Sequence, residues 1–184
     1  MNIWQLRKAT HCFAQGGIVA YPTEAIYGFG CDPFNEEAVK KLLAIKQRPW
    51  QKGLILIACD YQQLENYLEP LSPLVQQRVL ATWPGPVTWL LPARPQVPYW
   101  LTGQSKQLAV RVTAHPEASE LCRYWKGALV STSANVSNHL PARTALEVRL
   151  RFHRLIDKVV PGKVGGRSQP TEIRDALTNT LLRA

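Results

Sequence analysis

Acidic residues are scarce in this chain, and the gaps are long. No Asp or Glu occurs from Pro70 to Pro116, a stretch that carries Arg78, Arg94, Lys106 and Arg111, and none occurs from Leu121 to Leu146. Between Glu37 and Asp60 stand Lys40, Lys41, Lys46, Arg48 and Lys52, again with no acid among them. In total 22 Lys and Arg face 13 Asp and Glu, a formal net charge of +9. That imbalance suits polyanionic partners such as RNA or nucleotides, and it suits a generally basic, soluble surface equally well. The distribution says more than the sum: acids are expected to be kept out of tracts that line an anion-binding face.

Other absences narrow the classes further. No apolar run approaches the roughly 18 residues needed to span a bilayer, and the opening MNIWQLRKATHCF lacks a signal-peptide apolar region, so a cytoplasmic protein without a membrane partner is expected. The four cysteines (Cys12, Cys31, Cys59, Cys122) form no C-x-x-C pair, which favours buried free thiols over disulfides or zinc. His11, His115, His139 and His153 lack metal-ligand spacing. Walker A, G-x-G-x-x-G and G-x-S-x-G patterns are all missing, so a bound nucleotide would have to do without the usual glycine loops.

What is present describes a globular α/β protein. At 184 residues and 46% apolar composition, with no repeat, low-complexity tract or linker, the chain reads as one domain with a sizeable core. Asn2 is placed to cap a helix with Ile3, Leu6, Ala9 and Phe13 at helical spacing, closed by Gly16-Gly17. Asn35, followed by Glu36 and Glu37, opens a second helix through Val39, Leu42, Leu43 and Ile45 that stops before Pro49. Further helix starts fall at Asp60, at Ser72-Pro73, after His115-Pro116 and at Thr144, which has capping-box spacing to Glu147. GIVAYP, LILIA, VTWLLPA, LAVRV and ALVST read as strands, and LIDKVV and TEIRDA as candidate strands near the end. Solidly apolar strands alternating with helices predict a sheet covered by helices, its strand order left open.

Four segments can carry chemistry. Pro22-Thr23-Glu24, followed by Tyr27-Gly-Phe-Gly30, places a hydroxyl and a carboxylate at a strand exit beside glycines that permit close backbone approach; an ordinary turn accounts for it as well. Lys46-Gln-Arg48 ends the second helix, where cations complement the helix dipole by about 0.3–1 kcal/mol. The dipole explains neither Lys52 nor the missing acids, whereas an Arg fork with two ammonium groups suits a di- or triphosphate. Arg111, inside the apolar strand LAVRV, requires a carboxylate or a phosphate, from the protein or from a ligand. Ser131-Thr-Ser133-Ala-Asn135 forms a neutral polar cluster able to bind phosphate oxygens, a metal's water shell or an amino acid. With no elbow motif and no histidine placed as its base, a serine nucleophile is disfavoured.

Taken in order, PTEAIYGFG, KQRP, WPGPVT, LAVRV, STSAN and the late PTEIRD resemble the YrdC-like family of threonylcarbamoyl-AMP synthases in its short, single-domain bacterial (TsaC-type) form, from about Gly17 to Arg183. The resemblance implies one YrdC-like α/β domain over residues 1–184, with a twisted sheet of parallel and antiparallel strands flanked by helices and a basic concave face. It also implies a nucleotidyltransferase that joins L-threonine, bicarbonate and ATP into threonylcarbamoyl-adenylate with release of pyrophosphate. Partner proteins would then pass the threonylcarbamoyl group to the adenosine beside the anticodon of tRNA, and direct contact with tRNA or other double-stranded RNA stays open. On the matching positions, Lys46 and Arg48 would be catalytic. They would bind ATP together with Lys52, Ser133, Asn135 and Arg183, while Thr23, Arg111, Ser131 and Thr171 would take threonine, Arg111 through its carboxylate. Mg2+ would arrive with ATP, ligated by phosphate and water rather than by protein carboxylates, and no tightly bound organic cofactor is implied. This chain departs from the family pattern at Lys52-Gly53, where many relatives have Asn-Pro, and at Thr171-Glu172-Ile173, where longer members have Ser-Thr-Ile. The extra C-terminal domain of those longer members has no counterpart in this sequence, so closure is expected from loops or a partner.

Two other readings compete. The charge alone also fits a structured-RNA binder, for tRNA or rRNA, or a ribosome-maturation factor without catalysis, with steep salt dependence and no need of ATP. A carbamoyl-transfer module like that of hydrogenase maturation proteins is the third, although those modules sit within much longer chains.

Overall fold

The computed structural model describes residues 1–167 and 171–183. Its strands are β1 (Val19–Pro22), β2 (Tyr27–Gly30), β3 (Ile55–Ala58), β4 (Val87–Pro92), β5 (Gln107–Val112), β6 (Leu129–Ser133), β7 (Lys158–Val159), β8 (Glu172–Asp175) and β9 (Leu181–Arg183). The helices are α1 (Ile3–Ala14), α2 (Glu36–Lys46), α3 (Gln62–Glu65), α4 (Pro73–Leu80), α5 (Tyr99–Thr102), α6 (Pro116–Trp125) and α7 (Ala145–Phe152), with a 3-10 turn at Trp50–Lys52. One nine-stranded sheet runs β7-β1-β2-β6-β3-β5-β4-β8-β9. It is mixed: β1/β7, β3/β5 and β4/β8 are parallel, and the other neighbours are antiparallel.

The helix starts follow their local chemistry. Asn2 Oδ1 accepts from the Gln5 amide at 2.9 Å while Gln5 Oε1 accepts from the Asn2 amide at 3.1 Å, a reciprocal pair that satisfies two orphan donors. Asn35 caps α2 by accepting from the Ala38 N–H, and Thr144 caps α7 by accepting from the Glu147 N–H. Glu147 bonds the amide of Arg143 rather than that of the cap, one residue short of a closed box.

Helices cover the two faces of the sheet unequally. On one face α2, α3, α4 and α7 bury Val39, Leu42, Leu64, Val79 and Phe152 against Phe29, Leu56, Val110 and Val130. On the other, among the described residues, α1 and α6 pack, and their Leu6, Phe13, Leu121 and Cys122 cover Val19, Tyr21, Ile57 and Leu129. Side chains alternate along a strand, so the next residues on this second face are Ile55, Ala109 and Ser131. No helix covers them fully, and they floor a cleft.

Two local expectations are corrected, and one strand was not expected. YGFG is not part of a loop but strand β2, hairpinned to β1 with Pro22 opposite Tyr27. Gly is a weak strand residue, which hides this strand from a pattern search. Tertiary packing requires it all the same: a Cβ at Gly30 would lie 2.6 Å from the Val130 carbonyl oxygen and 2.7 Å from the Tyr21 ring. LIDKVV contributes only the two residues of β7, because the sheet edge there offers a single short partner. The C-terminal strand β9 has no signal of its own: its three residues are exposed and pair only with β8. Pro170, the first residue of the PTEIRD motif, lies outside the described residues. No helix among the described residues is long and apolar enough to cross a membrane.

Candidate functional site

The cleft holds about 630 Å3, a size typical of small-ligand sites. Every residue assigned a role from the sequence lines it: Thr23, Lys46, Arg48, Lys52, Arg111, Ser131, Ser133, Asn135, Thr171 and Arg183. They arrive from distant stretches. Thr23 sits in the β1–β2 turn, Arg111 inside β5, Ser131 and Ser133 in β6, Thr171 just before β8, Arg183 in β9 and Lys46 at the last position of α2. Leu90, Gln107, Ile173 and Leu182 also line it, and none of them carries a sequence signal.

Lys46 is the most deeply set cation, with 2% of its surface exposed. Its ammonium donates to the Ser133 carbonyl at 2.5 Å, the Asn135 carbonyl at 3.0 Å and Asn135 Oδ1 at 2.9 Å. All three acceptors are neutral, so the hydrogen bonds are satisfied while the charge is not. Burial, and then the neighbouring Arg48, lower its pKa from 10.5 to about 8. The loop after β6 wraps around this residue: Ser133 donates to Asn135 Oδ1 at 2.6 Å, and Ser137 bonds the Lys46 carbonyl through both its amide and its hydroxyl at 2.8 Å.

Gln47 ends α2 in the left-handed region, at φ 48°, and turns the chain so that Arg48 follows in the cleft wall. Arg48 donates from Nε and NH2 to the Gly53 carbonyl and from NH2 to the Lys52 carbonyl, at 3.0–3.2 Å. Thr171 joins two more cations: Arg111 NH1 donates to its hydroxyl at 2.6 Å and Arg183 NH2 to its carbonyl at 2.9 Å. Partial desolvation of its guanidinium at the cleft wall, then repulsion from Arg111 and Arg48, lowers the pKa of Arg183, although the residue as a whole is exposed.

The basic tract seen in the sequence divides here. Lys40 pairs with Glu36 and Glu37, Lys41 pairs with Asp157, and neither lines the cleft. Lys46, Arg48, Lys52 and Arg183 form no ion pair among the described residues, and no Asp or Glu lines the cleft there. Arg111 is the exception, with Glu24 Oε2 3.2 Å from its NH2. Of the two partners the sequence left open for Arg111, the protein supplies the carboxylate. Thr113 and His115 behind it carry no motif, yet Thr113 stands two residues beyond Arg111 in extended chain and so shares its face.

A mixed α/β sheet with an open half-face, where uncompensated cations meet hydroxyls and an amide, defines a protein built to take a small anionic ligand. Comparison with known proteins makes this specific. The family model Sua5_yciO_yrdC, described as telomere recombination, matches residues 11–184, and the chain belongs to that family. It is 52% identical over 180 residues to the threonylcarbamoyl-AMP synthase of Methylococcus capsulatus, covering 98% of this chain and 97% of the relative. The synthase of the same name from Coxiella burnetii is 49% identical over 178 residues, 97% and 96% of the two chains. A crystal structure of P. abyssi Sua5 complexed with L-threonine superposes with a TM-score of 0.89 at 30% identity; the match covers 95% of this chain and 52% of Sua5, so the chain spans about half the length of that protein. E. coli YciO, at 23% identity and a TM-score of 0.86 over 97% of this chain and 87% of its own, shares the fold.

Proposed function

We infer that the protein is a threonylcarbamoyl-AMP synthase, a nucleotidyltransferase that takes residues 1–184 as one domain and acts on ATP, L-threonine and bicarbonate. The observation that carries this reading is the charge arrangement of the cleft: among the described residues Lys46, Arg48, Lys52 and Arg183 are without carboxylates, while Arg111 has one. Uncompensated cations suit a triphosphate. The names of the relatives and the threonine complex of Sua5 support the remaining substrates.

The amine of threonine condenses with bicarbonate, water leaves, and the resulting N-carboxylate attacks the α-phosphorus of ATP. A new P–O bond forms, the bond to the β-phosphate oxygen breaks, and pyrophosphate departs with its electron pair. Bicarbonate, ATP, the N-carboxylate, the adenylate and pyrophosphate are all anionic, so positioning and fixed positive charge do most of the work. Arg48, Lys52 and Arg183 hold the phosphates. Lys46 contributes its charge from below and can exchange Asn135 Oδ1 for a phosphate oxygen, which frees Asn135 and Ser133 to orient the nucleotide. Arg111 receives the threonine carboxylate, with the Thr23, Ser131 and Thr171 hydroxyls around it. Mg2+ fits as an ion carried by the triphosphate, since the cleft supplies hydroxyl and amide oxygens and no carboxylate among the described residues. When bound it neutralises phosphate charge. The product leaves for partner proteins that modify tRNA in the cytoplasm.

The test is release of pyrophosphate from ATP and Mg2+ with labelled threonine and bicarbonate. Release should depend on both, and the Lys46→Ala, Arg48→Ala double variant should abolish it while RNA retention at low salt is unchanged. Absence of threonine-dependent release from the wild-type protein, beside an active relative, overturns the reading. If the double variant loses RNA retention and the wild type has no turnover, a binding protein is indicated instead.

A further inference from the structure

Arg111 faces two ways. Toward the cleft, NH1 donates to Thr171 Oγ1; away from it, NH2 lies 3.2 Å from Glu24 Oε2. Glu24 does not line the cleft. It sits buried in the turn between β1 and β2, where its other oxygen accepts from the Thr113 hydroxyl at 2.6 Å, and Thr113 Oγ1 in turn accepts from the His115 N–H at 3.2 Å. Burial pushes the Glu24 carboxyl upward, but Arg111 and the Thr113 bond outweigh it, and the group is held below the usual carboxylate range. The chain after β7 closes over this pair. The Gly165 N–H bonds the Thr23 carbonyl, and a Cβ at Gly165 would stand 2.6 Å from the Glu24 carbonyl oxygen. Glu24 Oε2 and Arg111 Nε are both buried without a hydrogen bond. The pair is therefore held by charge rather than by a bidentate fork, and NH1, which spends one hydrogen on Thr171, is the group through which Arg111 can meet a ligand.

The cleft is thus divided electrostatically. At one end the cations are bare, and attraction there grows with each charge on the ligand. At the other, a guanidinium carries its own counter-charge, so the subsite has less net charge even with Arg183 bonded to the Thr171 carbonyl beside it, and it selects more by hydrogen-bond geometry. A bare Arg111 would attract phosphate and repel the ammonium of a free amino acid. With Glu24 behind it, it does neither. We propose that Glu24 is a positioning and specificity residue that neutralises Arg111 from behind, so that this subsite accepts the single carboxylate of a zwitterionic amino acid and refuses phosphate. The proposal rests on the assignment of Arg111 to threonine.

Glu24→Gln, which keeps shape and removes charge, is the test. Threonine KM should rise tenfold or more while ATP KM stays within twofold. Inorganic phosphate, which should not compete with threonine in the wild type, should become a competitive inhibitor against it, and calorimetry should show phosphate binding gained by the unliganded variant. A merely structural role would raise both KM values together or lower kcat without creating an anion site. If the Gln variant fails to fold, Glu24→Asp, which keeps the charge but withdraws it by one methylene, should show the same split in smaller measure. Equal KM changes, or phosphate discrimination unchanged from wild type, overturn the proposal. A wild-type protein without threonine-dependent turnover overturns the functional reading instead, so the two failures are distinct.

Discussion

If Lys46 holds nucleotide as proposed, the affinity should depend on pH in a window where few side chains titrate. Its pKa of about 8 leaves the ammonium roughly nine-tenths charged at pH 7 and one-tenth charged at pH 9 in the free protein. A bound triphosphate favours the charged form and returns the pKa toward 10.5, so binding above pH 8 must take up a proton. ATP affinity should therefore weaken about tenfold between pH 7 and pH 9, with uptake of about half a proton per ATP at pH 8. Titration calorimetry in two buffers of different ionisation heat, with saturating Mg2+, reads both quantities. Lys46→Met should bind more weakly at pH 7 and lose the pH dependence. The fold senses the same group with the opposite sign. Its lowered pKa costs about 3 kcal/mol of stability below pH 8, and this cost is relieved as pH rises from about 8 toward 10.5. A flat affinity profile in the wild type, or one that survives in Lys46→Met, would refute the reasoning.

Three further outcomes follow from named contacts. Arg48→Ala removes the bonds to the Gly53 and Lys52 carbonyls and should raise ATP KM at least tenfold while moving threonine KM little, read by steady-state kinetics. Gly30→Ala drives a methyl into the Val130 carbonyl and the Tyr21 ring and should cost about 1–3 kcal/mol, measured by urea unfolding. The Asp157 carboxylate accepts from the Ile18 N–H at 2.7 Å and pairs with Lys41, and although burial pushes its pKa up, these partners hold it below 3.8. Its stabilisation is present above pH 3.8 and is lost as pH falls through the lower folded value; Asp157→Asn should flatten the acid limb of a melting-temperature profile.

Much of this architecture is legible in the amino-acid sequence. Asn2, Asn35 and Thr144 announce their helices because a cap is a bond over three residues, wholly local. The apolar runs LILIA, LAVRV and ALVST announce β3, β5 and β6 because strands covered on both faces need little alternation. The missing acids announced a cleft with uncompensated cations among the described residues, and the ordered motifs named residues that line it. Strand β2 was concealed by its glycines, and β9 by its shortness.

The chain's order of residues thus determined which side chains would be candidates for the cleft and that acids would be scarce among them, since local bonding and composition carry that information. Only the tertiary structure decided which charges stay bare. Lys40, Lys41 and Lys46 lie within seven residues of one another, yet among the described residues the first two find carboxylates and the third does not. Glu24 and Arg111, far apart in the chain, come within 3.2 Å. A charge is neutralised by whatever the fold brings within a few ångströms, and that distance is set by strand order, not by sequence spacing.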